Sequence, residues 1–219
     1  MDDKSIKIDD RLLKQQEMDT KISSINKITY LRAKTYFDLK EYLRTANFLE
    51  KSNVPKSVFL RRYSLYLAGE KQKDEQSREL EEHSPVINTE LRNLCEEFRK
   101  DEESGKLDGF GKYLYGVILK ELHLNDQAQR QLIESCCLYP WNWSAWLALS
   151  SLCIEAEQLR TISQQLPAHY MTNFFISHAQ LELQLNQEGL QSYEKLQEHF
   201  PVSRYITQQI ATANYNLRG

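Results

Sequence analysis

Residues 120–140 read "KELHLNDQAQRQLIESCCLYP", and residues 181–201 read "LELQLNQEGLQSYEKLQEHFP". The two stretches align without a gap at one fixed offset, the step from Leu122 to Leu183. Leu124 then meets Leu185, Asn125 meets Asn186, Ala128 meets Gly189, Leu132 meets Tyr193 and Pro140 meets Pro201. Each reads as the end of one helix, a short polar turn at Asn, and a second helix that stops before Pro. Self-similarity of this kind marks a repeat architecture. Two antiparallel helices pack closely only if small residues sit where they cross. Gly116 on the first helix and Ala128 on the second meet that need, with Tyr115, Leu119 and Leu132 filling the space beside them.

The bulk properties agree with a helical chain. Among 219 residues there are only 7 Gly and 5 Pro, while helix formers such as Leu, Gln, Glu, Ala and Lys abound. A formal charge of −3 leaves no global footprint for nucleic acid or an anionic membrane. No apolar run is long enough to span a bilayer. The start, "MDDKSIKIDDRLLKQQEMD", lacks the apolar core of a secretory signal. The expected address is the inside of a cell. Cys95, Cys136, Cys137 and Cys153 show no metal-ligand spacing. In a reducing compartment they read as small buried hydrophobes, and a vicinal Cys136–Cys137 bridge would strain the backbone. "NWS" at Asn142–Ser144 matches a glycosylation acceptor by chance.

The spacing inside the unit resembles the tetratricopeptide repeat over about 34 residues, from Gly109 to Asn142. Tyr115-Gly116, Leu119, Ala128, Leu132 and Pro140 occupy its characteristic slots. The next repeat then begins near Trp143, and "WNWSAWLALSSLC" (141–153) is a junction followed by a first helix. Trp146 takes the aromatic slot, with Leu149, Ser150 and Cys153 following. Trp146 is expected to wedge into the preceding helix pair, Trp143 to cap the turn, and Trp141 to be partly exposed. Two regular repeats would place the echo about 68 residues on, so the middle unit is roughly seven residues short. Further on, Gly189, Tyr193 and Pro201 repeat the packing pattern. Earlier, Ala33, Tyr36, Thr45 and Leu49 do the same, and "VFLRRYSLYLAGEKQKDE" supplies another first helix.

The expected fold is therefore all-α, a tetratricopeptide-repeat superhelix (an α-solenoid) truncated at its C-terminal end. Residues 1–25 form an N-terminal extension, and residues 26–219 a single array. Its repeats are placed at 26–57, 58–106, 109–142, 143–169 and 170–203, with the start of another at 204–219. A densely charged stretch, about 71–88, reads as a mobile insertion interrupting the second repeat. Ser84-Pro85 within it is a minimal proline-directed phosphorylation site or a plain turn.

No catalytic, cofactor-binding or metal-binding constellation is found. The phosphate-loop, nucleophile-elbow and zinc-protease motifs are missing. His178 and Glu182 share a helix face and read as a hydrogen-bonded surface pair rather than a zinc fragment. No cofactor and no small-molecule substrate is expected.

Several strings are more specific than generic repeats. They are "TYFDLKEYLRTANFL" (35–49), "YSLYLAGEKQKDE" (63–75), "LDGFGKYLYGVILKEL" (107–122), "WSAWLAL" (143–149), "FFISHAQLELQL" (174–185) and "YITQQIATANYNLR" (205–218). Together they resemble the amino-terminal half of the anaphase-promoting complex subunit eight family, the cell-division-cycle protein 23 family. The resemblance runs from about Tyr30 to the end and leaves positions 1–25 unmatched. It implies a non-catalytic scaffold of a cell-cycle ubiquitin ligase, in the nucleus and cytoplasm. It implies homodimerisation through the first repeats and assembly with other subunits of that complex, with no nucleic-acid or membrane partner. Coactivator contacts would lie in later repeats. Candidate dimer-interface residues are Tyr30, Phe37, Tyr42, Phe59, Tyr63 and Tyr66, since aromatic side chains give large contact area at low entropic cost. The alternative for each is packing inside its own repeat. A generic peptide-binding adaptor of the cochaperone kind is the rival reading. Its clamp needs Lys, Arg and Asn where this chain carries Tyr, Ser and Gln.

Overall fold

The computed structural model describes residues 23–79 and 88–218. Ser84 and positions 1–22 lie outside them. Among the described residues there are helices and turns and no strand. The fold is all-α and of the tetratricopeptide α-solenoid type, built from successive helical hairpins. The chain divides into two compact units, one up to Leu94 and one from Cys95.

The first unit contains α1 (23–38), α2 (Tyr42–Phe48) and α3 (Pro55–Glu79). Ala33, Leu49 and Leu60 form its core, with Tyr30 and Phe37 packed against them. The charged residues 71–79 do not interrupt the helix as expected: α3 runs through them to Glu79. Lys71 pairs with Glu75 at 3.8 Å and Lys73 with Glu70 at 3.6 Å along the helix surface. Such pairs stabilise an already nucleated helix. Residues 80–87 lie outside the described set.

After α4 (Glu90–Glu103), the second unit continues with α5 (Gly109–Glu121), α6 (Asn125–Leu138), α7 (Trp143–Ser150) and α8 (Ala156–Ser163). It ends with α9 (Tyr170–Glu182), α10 (Asn186–His199) and α11 (Arg204–Asn216). The sequence echo is now geometric. Gly109 maps to Tyr170 and Glu121 to Glu182, so α5 and α9 start and stop in register. The same shift carries α6 onto α10, and Trp143, which opens α7, onto Arg204, which opens α11. The intervening pair α7 and α8 is short, at 8 residues each. Leu114, Ile118, Leu119, Leu132, Trp146, Leu149, Ile162, Phe175 and Tyr193 are fully buried along this unit.

The hairpin turns share one device. At the end of α5, His123 N–H donates to Lys120 C=O and Leu124 N–H to Leu119 C=O, each at 2.9 Å. That is a Schellman motif, which satisfies the last carbonyls of a helix by turning one residue left-handed. The same two bonds recur at Gln184 and Leu185, at Lys40 and Glu41, and at Gly105 and Lys106. The left-handed residues are accordingly Lys40, Gly105, His123 and Gln184, at φ between 59° and 66°.

Candidate functional site

Trp146, alone of the three tryptophans, is a packing centre. It is fully buried, its Nε1–H donates to Pro140 C=O at 2.8 Å, and its ring meets Phe175 of α9 at 5.6 Å. It thus ties the proline turn after α6 to α9 of the following hairpin. Trp143 does not cap the turn. It opens α7 and lies half-buried, edge-on to His178 at 5.9 Å and Tyr205 at 6.4 Å. Trp141 is 67% exposed, with its ring against His169 at 4.8 Å.

The cysteines are free thiols. Burial pushes the Cys136 thiol far above its ordinary range and Cys153 up to about 11. Partial burial also raises the thiols of Cys95, which is half-buried, and Cys137, which lies at the surface and not in the core as expected. A reactive thiolate needs the opposite shift. His178 is lowered by burial, against a smaller opposing pull from Glu182, and its ring neighbour is Trp143. Among the described residues, no group of three or more His, Cys, Asp or Glu could hold a metal. Nor is any helix among them long and apolar enough to cross a membrane.

The other packing residues fall on hairpin seams. A methyl on Gly116 would sit 2.7 Å from Leu132 Cγ, and one on Gly189 would sit 2.5 Å from Leu181 Cδ2. Leu119, Ala128, Leu132, Leu149 and Tyr193 are buried. Tyr193 O–H is hydrogen-bonded with Tyr205 O–H at 3.2 Å. Pro140 and Pro201 each lie just past the end of a helix, α6 and α10.

Most of the aromatic candidates of the first unit form one row. Phe37 meets Tyr42 at 5.6 Å and Tyr63 at 5.8 Å, and Tyr63 stacks on Phe59 at 5.8 Å and on Tyr66 at 6.3 Å. All are half-buried. Tyr30 stands apart, under the Lys56 ammonium at 5.9 Å. Sequence reasoning passed over a second set. Ile25, Ile28, Leu31, Leu39, Leu43 and Phe48 are all exposed on α1, α2 and their turn. The signal was there: α1 carries apolar residues at 25, 28 and 31 besides the core-facing 30, 33 and 37, so it is apolar on more than one face.

The distinctive "AGE" at 68–70 also acquires a role. Asn88 is buried and donates from Nδ2 to Tyr66 C=O at 3.2 Å and to Glu70 Oε1 at 2.9 Å. Its Oδ1 accepts from Glu90 N–H at 3.0 Å, at the start of α4. A methyl at Gly69 would lie 1.9 Å from Asn88 Oδ1. Gly69 and Glu70 therefore form the seat of an asparagine that ties the first turn of α4 to α3.

A series of helical hairpins with buried seams and exposed apolar edges defines an α-solenoid. The family model described as "Anaphase promoting complex subunit 8 / Cdc23" matches residues 2–211, and the chain belongs to that family. The match reaches into the N-terminal extension, where sequence reading had found no resemblance. The chain is 46% identical over 192 residues to "Anaphase-promoting complex subunit 8" of Arabidopsis thaliana, covering 86% of this chain and 33% of the relative. It is 44% identical over 193 residues to "Cell division cycle protein 23 homolog" of Homo sapiens, covering 86% and 32%. With "Anaphase-promoting complex subunit 8" of Dictyostelium discoideum the identity is 34% over 239 residues, covering 86% and 40%. The chain thus spans about a third of the length of the first two relatives.

Proposed function

We propose that this chain is a non-catalytic scaffold segment of the anaphase-promoting complex, in the nucleus and cytoplasm. Its first repeats pair with a second copy, and its outer surfaces assemble with other subunits. Family membership supports the complex. The observation that carries the pairing is the set of exposed apolar side chains on α1, α2 and the turn between them, where Ile25, Leu39 and Leu43 are 61%, 69% and 60% exposed. Large apolar side chains left exposed in number on a small unit mark an interaction surface. A closed two-fold pairing would cover it on both copies at once. The half-buried row of Phe37, Tyr42, Phe59, Tyr63 and Tyr66 would form the rim. Repeat bounds at 26–57, 58–106, 109–142, 143–169 and 170–203 go with this reading.

The test is solution mass by light scattering across micromolar concentrations. A mass rising toward twice the chain mass supports the reading. A mass of one chain throughout overturns it.

A further inference from the structure

We propose that the cleft between α1 and the start of α3 binds a phosphate monoester carried on a side chain of another protein. The cleft is open, about 650 Å³, and lined by Lys27, Tyr30, Leu31, Val54, Lys56 and Ser57 among others. No described carboxylate lines it. The residue that points to a ligand is Ser57. It is 1% exposed, and its Oγ has no hydrogen-bond partner. Two other buried helical serines, Ser64 and Ser177, donate to the carbonyl one turn back, Leu60 at 2.6 Å and Asn173 at 2.9 Å. Ser57 is only the third residue of α3, so the residue four before it, Asn53, lies outside the helix. A buried hydroxyl left unpaired destabilises the fold. One that lines a cleft is a donor for whatever enters it.

The backbone adds a second donor. Ser57 N–H and Val58 N–H both donate to Val54 C=O at 2.9 Å, and Pro55 has no N–H. Lys56 N–H is left without a backbone acceptor, at the positive end of a 25-residue helix whose first turn holds no acidic residue. Two ammonium groups complete the set. Lys56 Nζ lies 5.9 Å from the centre of the Tyr30 ring, and Lys27 is one turn before Leu31 on α1. Neither lysine belongs to an ion pair among the described residues. Two cations, a hydroxyl and a backbone N–H call for about two negative charges and several acceptor oxygens. A carboxylate brings one charge and two oxygens. A phosphate monoester brings a charge of about −1.5 to −2 and three acceptor oxygens, and lysine binds it as a point charge. The rest of the lining is apolar. Tyr30 and Val54 are half-buried and Leu31 is 51% exposed, so an apolar residue beside a phosphorylated one gains contact area that free phosphate lacks. The formal charge of −3 disfavours an anionic membrane as the source.

The probe is a capped tripeptide of alanine, phosphoserine and leucine, titrated calorimetrically into the 219-residue chain at about pH 7.5 and about 0.15 M salt. Saturable binding below about 1 mM is expected, with inorganic phosphate about tenfold weaker and the unphosphorylated peptide silent. Lys27→Gln and Lys56→Gln should each weaken the peptide about fivefold or more, and Lys195→Gln on α10 should leave it unchanged. Ser57→Ala should weaken it by about threefold or more without lowering the melting temperature, because the hydroxyl it removes has no partner in the fold. Binding should also weaken severalfold at about pH 5.5, where the phosphate takes up a proton and the lysines keep their charge. Absence of saturation, equal binding of the unphosphorylated peptide, or indifference to the lysine and serine substitutions overturns the proposal. Inorganic phosphate binding as tightly as the peptide overturns the protein partner. So does capture by phosphatidic acid vesicles without peptide binding, which would assign the cleft to a lipid headgroup. Light scattering on each variant should give the native mass. A variant that loses the peptide only together with self-association would place the cleft in an interface between copies and overturn the proposal as well.

Discussion

Trp146 and Trp141 have the same side chain, lie close in sequence and have opposite consequences on removal. Trp146 is fully buried with its N–H satisfied by Pro140. Trp146→Ala should cost about 3–5 kcal/mol, because a cavity opens between α7 and Phe175. Trp141→Ala, at an exposed site, should stay within about 0.5 kcal/mol. Urea unfolding followed by circular dichroism checks both. Gly69→Ala sets two effects against each other. Alanine gains about 1 kcal/mol of helix propensity. Against that, it displaces Asn88 and forfeits its buried hydrogen bonds, each worth about 1 kcal/mol, besides the clash itself. The clash side wins, and a net loss of about 2 kcal/mol is expected in the same unfolding measurement. His178 gives a pH signature. Burial lowers its folded-state pKa, so the unfolded chain binds the proton more tightly. Its neutral form favours the folded state fully above its unfolded pKa of about 6.5. That stability is lost as pH falls through the depressed folded value. Melting curves should show the acid-side decline shallower in His178→Asn than in the native chain; identical declines would sink the argument.

At the scale of elements, the Schellman turns carry a cost that the sequence disguises. Lys40, His123 and Gln184 sit left-handed, where a side chain costs about 1–2 kcal/mol. Lys40, His123 and Gln184 are all exposed. Replacing His123 and Gln184 by Gly removes that strain but adds about 0.5–1 kcal/mol of unfolded-state entropy each. The net should be a stabilisation of roughly 1 kcal/mol for the pair, or about 2–4 °C in melting temperature. A fall in melting temperature would show that these side chains do something the turn geometry does not reveal. The hairpins themselves were legible because Asn125 and Asn186, Pro140 and Pro201 punctuate them at one spacing. The left-handed residue was not, because Gly appears at only one of the four turns, Gly105. Residues 71–79 were misread for a related reason. A segment polar all round gives no periodic signal, yet α3 is already nucleated upstream and propagation costs little. Trp143 was misplaced because slot patterns order residues along a helix without saying which neighbouring ring they will meet.

On the scale of the whole molecule, the sequence displayed its seams far better than its surfaces. A seam repeats at fixed spacing. An exposed apolar face such as Ile25, Ile28 and Leu39 looks like more core until the structure shows these side chains open to solvent. That face also yields the sharpest thermodynamic test of pairing. If folding and association are coupled, each tenfold rise in concentration adds about 1.4 kcal/mol per dimer through mass action. The melting temperature of the native chain should then climb by a few degrees between roughly 1 and 100 µM. Ile28→Glu combined with Leu39→Glu places two charges where a partner would bury them, and burying an unpaired charge is prohibitive. In the isolated chain both positions are more than half exposed, at 51% and 69%, so the folded monomer should lose little. The double variant should therefore keep its helical signal at about 25 °C and melt at one temperature regardless of concentration. Its low-concentration melting point should match that of the native chain. Concentration-independent melting in the native chain would mean that this face is closed by something other than a second copy.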